Sequence, residues 1–177
     1  MSLTNEKIIE IAGKECPDLE TYEHRGQLSL LVPQEHIVNV ANTLKNHNET
    51  GFDMLIDITA IDWLDKKKIR FEVVYFLYSN HYKSRIRLKV PVSEEEPSCP
   101  SVTGVWESAN WYERETWDMY GISFKGHPNP RRFYMPEDFN DPDSGEPLHP
   151  LRKDFPLMGI PGSLPLPPYP ERDGEPE

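Results

Sequence analysis

The distribution of proline divides this chain into parts that cannot share one architecture. Only five of its 18 prolines precede residue 128, and the other 13 lie in the last 50 residues. Proline holds φ at about −65° and lacks a backbone N–H, so a proline-rich segment cannot sustain a helix or a central strand. The pattern predicts an α+β domain over residues 1–121, an extended segment over residues 122–160 and a Pro-rich terminus over residues 161–177.

Length and charge exclude several classes of protein. A chain of 177 residues matches one domain, and its net charge of −11 disfavours binding to nucleic acid, whose phosphates are negative. The longest unbroken apolar run, residues 73–78, is far shorter than the roughly 20 residues that a membrane-spanning helix needs. The first residues lack the basic and apolar regions of an export signal, so we expect the chain in the cytoplasm.

The residues that usually carry redox or metal chemistry are sparse. Cys16 and Cys99 are the only cysteines, half of what a four-cysteine iron–sulfur cluster requires. The sequence has no Gly-rich phosphate loop, no Gly-x-Ser-x-Gly, no Cys-x-x-Cys and no pair of histidines at metal-ligand spacing. We therefore expect any cofactor to lie on another chain.

The first part of the domain is predicted as helix, two strands, helix. Thr4 is the expected N-cap of a helix that ends at Gly13. Arg25-Gly26 is a two-residue turn candidate between two short strands. Pro33 is expected to open the second helix, where its missing N–H has no cost.

Three further strands are predicted as an antiparallel meander over residues 52–60, 69–78 and 84–90. The second is apolar on both sides, as in a central strand. The third alternates apolar residues with Arg85, Arg87 and Lys89, which is typical of an edge strand that presents charge to solvent. A loop over residues 93–100 is predicted to follow the third strand. Together, the predicted helices and strands indicate an α+β fold, with one mixed or antiparallel sheet and helices packed on it.

The last helix is predicted over residues 101–120, with Gly121 as a left-handed cap. An apolar stripe at spacings of three and four should lie on the sheet; it consists of Val102, Val105, Trp106, Ala109, Tyr112, Thr116 and Tyr120. Elsewhere the helix mixes tryptophan and tyrosine with charges, as buried protein interfaces do. The arginines that follow, Arg131, Arg132 and Arg152, require carboxylates from this chain or from a neighbour.

Several motifs in this region closely resemble the 30-kDa subunit family of respiratory complex I, the C-type subunit of bacterial NADH-quinone oxidoreductase. They are Glu113-Arg114-Glu115-Thr116-Trp117-Asp118-Met119-Tyr120-Gly121-Ile122, Gly126-His127-Pro128, Arg131-Arg132 and His149-Pro150-Leu151-Arg152-Lys153-Asp154-Phe155-Pro156. The resemblance covers residues 111–156, and the α+β order before them is compatible with the family's fold.

The resemblance implies a hydrophilic, non-catalytic subunit of the peripheral arm, on the cytoplasmic side of the inner membrane. The complex transfers electrons from NADH through FMN and iron–sulfur clusters to quinone and translocates protons; all these cofactors would lie on partner subunits. The implied neighbours are the 49-kDa-type (D-type) subunit, the B-type subunit that holds the last cluster and the ferredoxin-like (I-type) subunit. The residues expected to contact partners are Glu113, Arg114, Glu115, Trp117, Asp118, Gly121, His127, Pro128, Arg131, Arg132, His149, Leu151, Arg152, Lys153, Asp154, Phe155 and Pro156.

The sequence departs from the family pattern in two places. Residues 139–147 form a polar, acidic insertion between the arginine pair and the last motif, and we expect a surface bulge there. Asn129 and Pro130 stand where the family commonly has aspartate and an aliphatic residue. We therefore expect the turn at these residues to differ from that of the family.

Three alternatives remain at the level of sequence. The same subunit type serves related membrane-bound hydrogenases and quinone reductases with another electron donor. A free adaptor could present Leu164-Pro165-Leu166-Pro167-Pro168 to an aromatic groove as a polyproline ligand. A stand-alone hydrolase that uses aspartate and histidine would instead turn over substrate without any partner.

Overall fold

A computed structural model describes residues 3–156 of the chain. The elements in chain order are α1 (Asn5–Gly13), β1 (Glu20–His24), β2 (Gln27–Leu31), a 3-10 turn (Gln34–His36), α2 (Ile37–Asn46), β3 (Met54–Asp62), β4 (Phe71–Ser79), β5 (Ser84–Val92), β6 (Ser98–Pro100), α3 (Ala109–Tyr120) and β7 (Ser123–Lys125). The predicted order of helices and longer strands is therefore confirmed, and β6 and β7 are additional.

The main sheet has five strands in the order β1-β2-β5-β4-β3. β2 pairs with β5 in parallel, and the other neighbours are antiparallel, so the sheet is mixed. Alternate residues of its strands, such as Leu30, Tyr75 and Leu88, are fully buried in one core with Ile8 of α1 and Leu44 of α2. Every second residue of these strands faces the helices, and each helix packs its own apolar face against that side of the sheet.

Local sequence determines the boundaries of the first elements. The hydroxyl of Thr4 accepts a hydrogen bond from the backbone N–H of Lys7, and α1 ends at Gly13. Arg25 and Gly26 both adopt positive φ, 52° and 72°, which is the geometry that joins two strands through a two-residue turn. Pro33 precedes the 3-10 turn that runs into α2, so all three predictions are confirmed.

The prediction that the third long strand lies at an edge is wrong. β5 lies in the middle of the sheet, between β2 and β4, and the edges are β1 and β3. One of its three basic residues is paired within the sheet, because Lys89 Nζ lies 2.5 Å from Glu72 Oε1 of β4. An alternating basic pattern indicated a polar face, but only the parallel pairing with β2 decides which strand has two neighbours.

The last helix also begins later than predicted, at Ala109 rather than near residue 101. Residues 101–108 instead form turns in which Val102 O accepts from the N–H groups of Val105 and Trp106. The preceding residues form β6, which pairs in parallel with β7. Sequence patterns missed β6 and β7 because each is three residues long and gains its hydrogen bonds from a partner distant in the chain.

α3 lies against β3, an edge strand of the sheet. Thr116 Oγ1 donates to the carbonyl of Ile58 at 3.1 Å, Ala109 is fully buried, and Tyr112 and Tyr120 pack partly against the core. Gly121 ends α3 with φ of 74°, as predicted. Within residues 3–156, none of the helices combines the length and the apolar character needed to cross a bilayer. The predicted Pro-rich terminus lies outside the described residues.

Candidate partner-docking surface

The motif residues lie on α3 and on residues 126–156, which we call the C-terminal segment. This segment returns along α3 and contacts it repeatedly; the two main attachments are at the buried carboxylate of Asp118 and at the carboxyl-terminal end of the helix. A third contact joins the end of the segment to the main sheet. These contacts position the exposed side chains of the segment, and each is described below.

Asp118 is the fixed point for the first half of the C-terminal segment. Its side chain is fully buried, and its Oδ2 accepts the backbone N–H groups of Phe133, Tyr134 and Met135 at 3.0, 2.8 and 2.9 Å. Arg132 Nη1 donates to Oδ1 at 2.7 Å. Burial alone would raise the pKa of Asp118, but these donors outweigh it and the pKa lies below its usual value.

Arg132 extends this contact into the acidic insertion. Its Nη2 donates to the carbonyl of Phe139 at 3.1 Å. Residues 140 and 147 form an isolated antiparallel bridge, so residues 139–147 make a small, largely exposed hairpin. The expected surface bulge is confirmed, and an arginine within the chain holds its base.

The second contact caps the end of α3. The last carbonyls of a helix have no partner within the helix and must be satisfied from outside. Here His149 Nδ1 donates to Asp118 O at 2.9 Å, Leu151 N to Met119 O at 3.1 Å and Arg152 Nε to Tyr120 O at 2.6 Å. The His-Pro-Leu-Arg motif is therefore a helix cap supplied from about 30 residues further along the chain.

Gly121 is required by this cap for two reasons. Its φ of 74° disfavours other residues, and a Cβ at this position would lie 2.5 Å from Arg152 Nη2 and 2.6 Å from His149 Nε2. Burial lowers the pKa of His149, although the contact with Asp118 O opposes the shift. The imidazole is therefore neutral at pH 7 and keeps its proton on Nδ1, the atom that faces a carbonyl oxygen.

The third contact attaches the end of the segment to the sheet. Arg70 and Asp62 form a bidentate pair, with Nε–Oδ1 and Nη2–Oδ2 distances of 3.0 and 2.9 Å. Asp62 Oδ2 also accepts the backbone N–H of Lys153 at 2.9 Å, and Arg70 Nη2 lies 2.9 Å from Asp154 Oδ1. The hydrogen bonds to Asp62 raise the pKa of Arg70 further, against the effect of burial, so this cation is permanent.

An aromatic patch, formed by Trp111, Phe133 and Tyr134, lies on the outer surface of this arrangement. Their side chains are 52%, 39% and 56% exposed, and neighbouring ring centroids lie 5.3 and 4.5 Å apart. The guanidinium of Arg114 stacks 5.1 Å from the Trp111 ring while it donates to the carbonyls of Arg131 and Arg132. The patch is therefore rigid as well as exposed, which suits it to bind another protein.

A pocket of about 260 Å³ lies next to the patch, and Arg114 is part of its wall. Trp117, Phe124 and Pro130 supply apolar walls, and His127 lies at another side. His127 is held in place because its Nδ1 accepts from the N–H of Asn129 and its Nε2 donates to the carbonyl of Asn110. The pocket could accept one apolar side chain of a partner.

Glu113 faces inward and has no charged partner among the described residues. Its side chain is fully buried, with Oε1 2.7 Å from the backbone N of Val102 and Oε2 2.7 Å from Ser101 Oγ. Burial raises its pKa to about 7, although both hydrogen bonds oppose the rise. This residue therefore joins α3 to the turns that precede it, rather than presenting a charge at the surface.

The structure divides the predicted contact residues by exposure. Four are buried and bonded within the chain: Glu113, Arg114, Asp118 and His127. Seven are half-buried: Glu115, Trp117, Gly121, Arg132, His149, Arg152 and Phe155. Six are exposed: Pro128, Arg131, Leu151, Lys153, Asp154 and Pro156. The motifs therefore contain two kinds of residue, those that shape the segment and those that a partner can reach.

Sequence reasoning missed four residues that matter here. Asp62 is the last residue of β3 and Arg70 directly precedes β4, and no local pattern reveals their pairing. Phe133 and Tyr134 follow the arginine pair directly, and exposed aromatics beside arginine are a feature of interfaces that the sequence already displayed. Among residues 3–156, no group of three or more histidine, cysteine, aspartate or glutamate side chains could hold a metal ion.

Comparison with known proteins identifies the family. The family model described as "Respiratory-chain NADH dehydrogenase, 30 Kd subunit" matches residues 30–161. The chain belongs to this family. The C-type subunit of NADH-quinone oxidoreductase from Roseiflexus sp. (strain RS-1) is 46% identical over 159 residues, which cover 89% of this chain and 87% of that protein. The resemblance inferred from the motifs is thus confirmed.

Two solved structures show that the fold of this 30-kDa family member recurs. "Nqo5 of the trypsin-resistant fragment (1-134) in P63 form" is 34% identical, with a TM-score of 0.60 over 70% of this chain and 97% of that one. A chain in a structure of the membrane-bound sulfane sulfur reductase, described as an archaeal respiratory membrane complex, is 28% identical. Its TM-score is 0.68 over 86% of both chains.

Proposed function

We propose that this chain is a hydrophilic subunit of the peripheral arm of a proton-translocating NADH:quinone oxidoreductase, and that it positions neighbouring subunits. The observation that carries the proposal is the ordered outer surface of α3 and the C-terminal segment. Buried polar contacts fix the backbone of the segment, and aromatic and charged side chains project from it. A surface that is rigid and apolar at its centre loses little entropy when it binds another protein.

The proposal assigns the redox chemistry to other chains of the complex. FMN, the iron–sulfur clusters and quinone would be held by partner subunits, with no active site on this chain. Both cysteines are fully buried, and burial raises the pKa of Cys99 to about 12, so this thiol is a poor cluster ligand. The neighbours implied by the family are the 49-kDa-type subunit, the B-type subunit and the ferredoxin-like subunit.

The location follows from the same assignment. The subunit would lie on the cytoplasmic side of the inner membrane and be attached to it only through the complex. The alternative is the equivalent position in a complex with another electron donor. A specific observation supports it, because a 28% identical chain occurs in a structure of a sulfane sulfur reductase. The relatives from NADH-quinone oxidoreductases are more similar, so NADH remains the favoured donor.

The aromatic patch and Leu151 provide the test. Tyr134→Ser and Leu151→Ser remove side chains that are 56% and 49% exposed, so they should leave the fold intact. We expect each to reduce the amount of the 49-kDa-type subunit that copurifies with this chain from detergent-solubilised membranes, together with NADH:quinone activity. The matched control is Met54→Ser, which changes a side chain 48% exposed on a different element, β3. Capture equal to that of the parent chain for both variants would contradict the proposal.

Arg152→Ala tests the same idea from inside the chain. It removes the bond to the carbonyl of Tyr120 and should loosen the cap that residues 149–152 form on the end of α3. We expect weaker copurification of the 49-kDa-type subunit while the circular dichroism of the domain persists. An unchanged yield would mean that partners do not need this cap.

A further inference from the structure

A groove unrelated to the aromatic patch opens between β2 and the connection from β3 to β4. It has a volume of about 460 Å³ and is predominantly apolar. We call it the Trp63 groove; its apolar walls are Leu31, Val32, Pro33, Trp63, Ile69, Phe71 and Pro91. A shallow surface lined by tryptophan and proline is the kind on which extended, proline-rich segments bind.

Trp63 in this wall has an unsatisfied polar atom. Its indole Nε1 is buried and has no hydrogen-bond partner among the described residues. A buried donor without an acceptor is unfavourable. Proline-rich segments in the polyproline conformation have no internal hydrogen bonds, so their carbonyls are available as acceptors. This donor is shielded from solvent, so what the groove offers a segment of this kind is apolar contact with tryptophan and proline.

Near its end, the described chain contacts residues next to this groove. Asp62, next to Trp63, accepts from the N–H of Lys153, and Arg70, next to Phe71, pairs with Asp154. The guanidinium of Arg152 lies 5.3 Å from the centre of the Phe71 ring. Lys153 and Asp154 thus contact the residues that adjoin Trp63 and Phe71 in sequence, and the described chain ends two residues later, at Pro156.

The residues after Pro156 have the composition that the groove suits. They include Leu164-Pro165-Leu166-Pro167-Pro168-Tyr169-Pro170, which neither the family motifs nor the docking surface explains. Residues 157–163 form a seven-residue spacer that can span up to about 23 Å when extended. Because the tether keeps the local concentration high, even weak contacts suffice for occupancy.

A run of three lysines lies at one side of the groove. Lys67 and Lys68 line the groove, directly after Lys66 in the same connection. The last seven residues contain four acidic side chains and one arginine: Glu171, Arg172, Asp173, Glu175 and Glu177. Asp18, Glu20 and Glu72 also line the groove, and Lys67 and Lys89 pair with Glu72. We propose that the Trp63 groove binds this chain's own segment over residues 164–170, with the acidic end directed to the lysines.

Docking of this kind would attach the chain to its own sheet at a second place. The segment over residues 149–156 is already held at Asp62 and Arg70, and occupancy of the groove adds a second attachment beyond it. The Pro-rich motif is then an internal ligand, in contrast to the adaptor hypothesis, in which it binds another protein. The two hypotheses differ in which protein binds the Pro-rich motif, this chain or another one.

Site-directed crosslinking in the assembled complex decides the question. Ile69→Cys is combined with Leu166→Cys, and a short bismaleimide is added; the native cysteines, Cys16 and Cys99, are fully buried and should not react. We expect a crosslink within one chain, identified by mass spectrometry. The matched control combines Met54→Cys with Leu166→Cys. Met54 and Ile69 are similarly exposed, at 48% and 44%, but Met54 lies at the end of β3 that is far from Trp63.

Three results would overturn the proposal. They are no crosslink at Ile69→Cys, equal yields at both positions, or a crosslink from the groove to another subunit or a second copy. Charge reversal of Lys66, Lys67 and Lys68 to glutamate should lower the yield at least threefold.

A second measurement uses the isolated full-length chain and leaves the groove unaltered. Replacing Pro165, Pro167 and Pro168 with alanine should shift the ¹⁵N–¹H resonance of the Trp63 indole. Pro176→Ala, outside the motif, should not shift it. Identical spectra for the parent chain and the triple variant would also count against an internal ligand.

Discussion

The domain and the C-terminal segment are stabilised by different physical means. The buried apolar side chains of the described residues lie between Ile8 and Phe124, and most of them form one core. In residues 126–156 only His127 is buried, and the segment is held by hydrogen bonds and ion pairs to α3 and the sheet. Apolar burial is distributed over many residues, whereas polar contacts concentrate stability at a few atoms.

The difference explains why the family motifs are rich in charged residues although many of these do not reach the surface. Asp118, Arg132, His149 and Arg152 replace the missing apolar core of the segment with directed bonds. A directed bond specifies a backbone path, because donor and acceptor must align. The segment can therefore present exposed side chains in one arrangement without a core of its own.

The largest expected effect tests whether Asp118 alone holds the first half of the segment. Asp118→Ala leaves three backbone N–H groups and Arg132 without their acceptor. The loss should be about 3–5 kcal/mol in the free energy of local opening, because partners of a buried carboxylate are left uncompensated. Amide hydrogen exchange should accelerate at Phe133, Tyr134 and Met135 and stay slow in β4 and β5.

Control and pH dependence sharpen this prediction. Asp141→Ala removes a carboxylate that also accepts two backbone N–H groups, but in the exposed hairpin, and should have little effect. Since the pKa of Asp118 is lowered in the folded chain, its contribution is present above about pH 4 and disappears as the pH falls through the folded value. If Asp118→Ala and Asp141→Ala gave equal exchange rates at residues 133–135, Asp118 would not be the residue that holds this part of the segment.

Glu113 is a fully buried carboxyl with no charged partner among the described residues, and its titration gives the second largest effect. With a pKa of about 7 against 4.5 in the unfolded chain, it is protonated when folded between these values. Stability should therefore fall as pH rises from 4.5 to 7, by about 3 kcal/mol, and then level off. Urea unfolding of Glu113→Gln should lack this slope, whereas Glu107→Gln, at an exposed carboxyl, should retain it. The same slope in all three proteins would refute the assignment.

The smallest effect compares two glycines with the same backbone conformation. Gly121 and Gly145 both have φ of 74°, but a Cβ at Gly121 would meet Arg152 and His149, and one at Gly145 would meet nothing within 4 Å. Gly145→Ala should cost about 1 kcal/mol for the backbone alone. Gly121→Ala should cost about 1–2 kcal/mol more, measured by thermal unfolding, because the cap must move. An equal loss of stability in the two variants would show that Arg152 and His149 can move away from the new Cβ without a loss of free energy.

Much of the local structure was predictable from residue patterns. The Thr4 cap, the turn at Arg25 and Gly26, and the end of α3 at Gly121 depend on a few adjacent residues, and all three are as predicted. The family was also predictable, because the motifs from Glu113 onward are contiguous in sequence. These features need no knowledge of distant contacts.

Tertiary structure decided the features that depend on distant partners. Only the parallel pairing of β2 with β5 places the basic strand in the centre of the sheet, and only the fold brings Lys153 to Asp62 across 91 positions of sequence. The sequence by itself determined which residue types the motifs contain, including Asp118 and Arg152. Whether each of them faces a partner or shapes its own chain was set by burial, which emerges only when α3 and the returning segment are packed together.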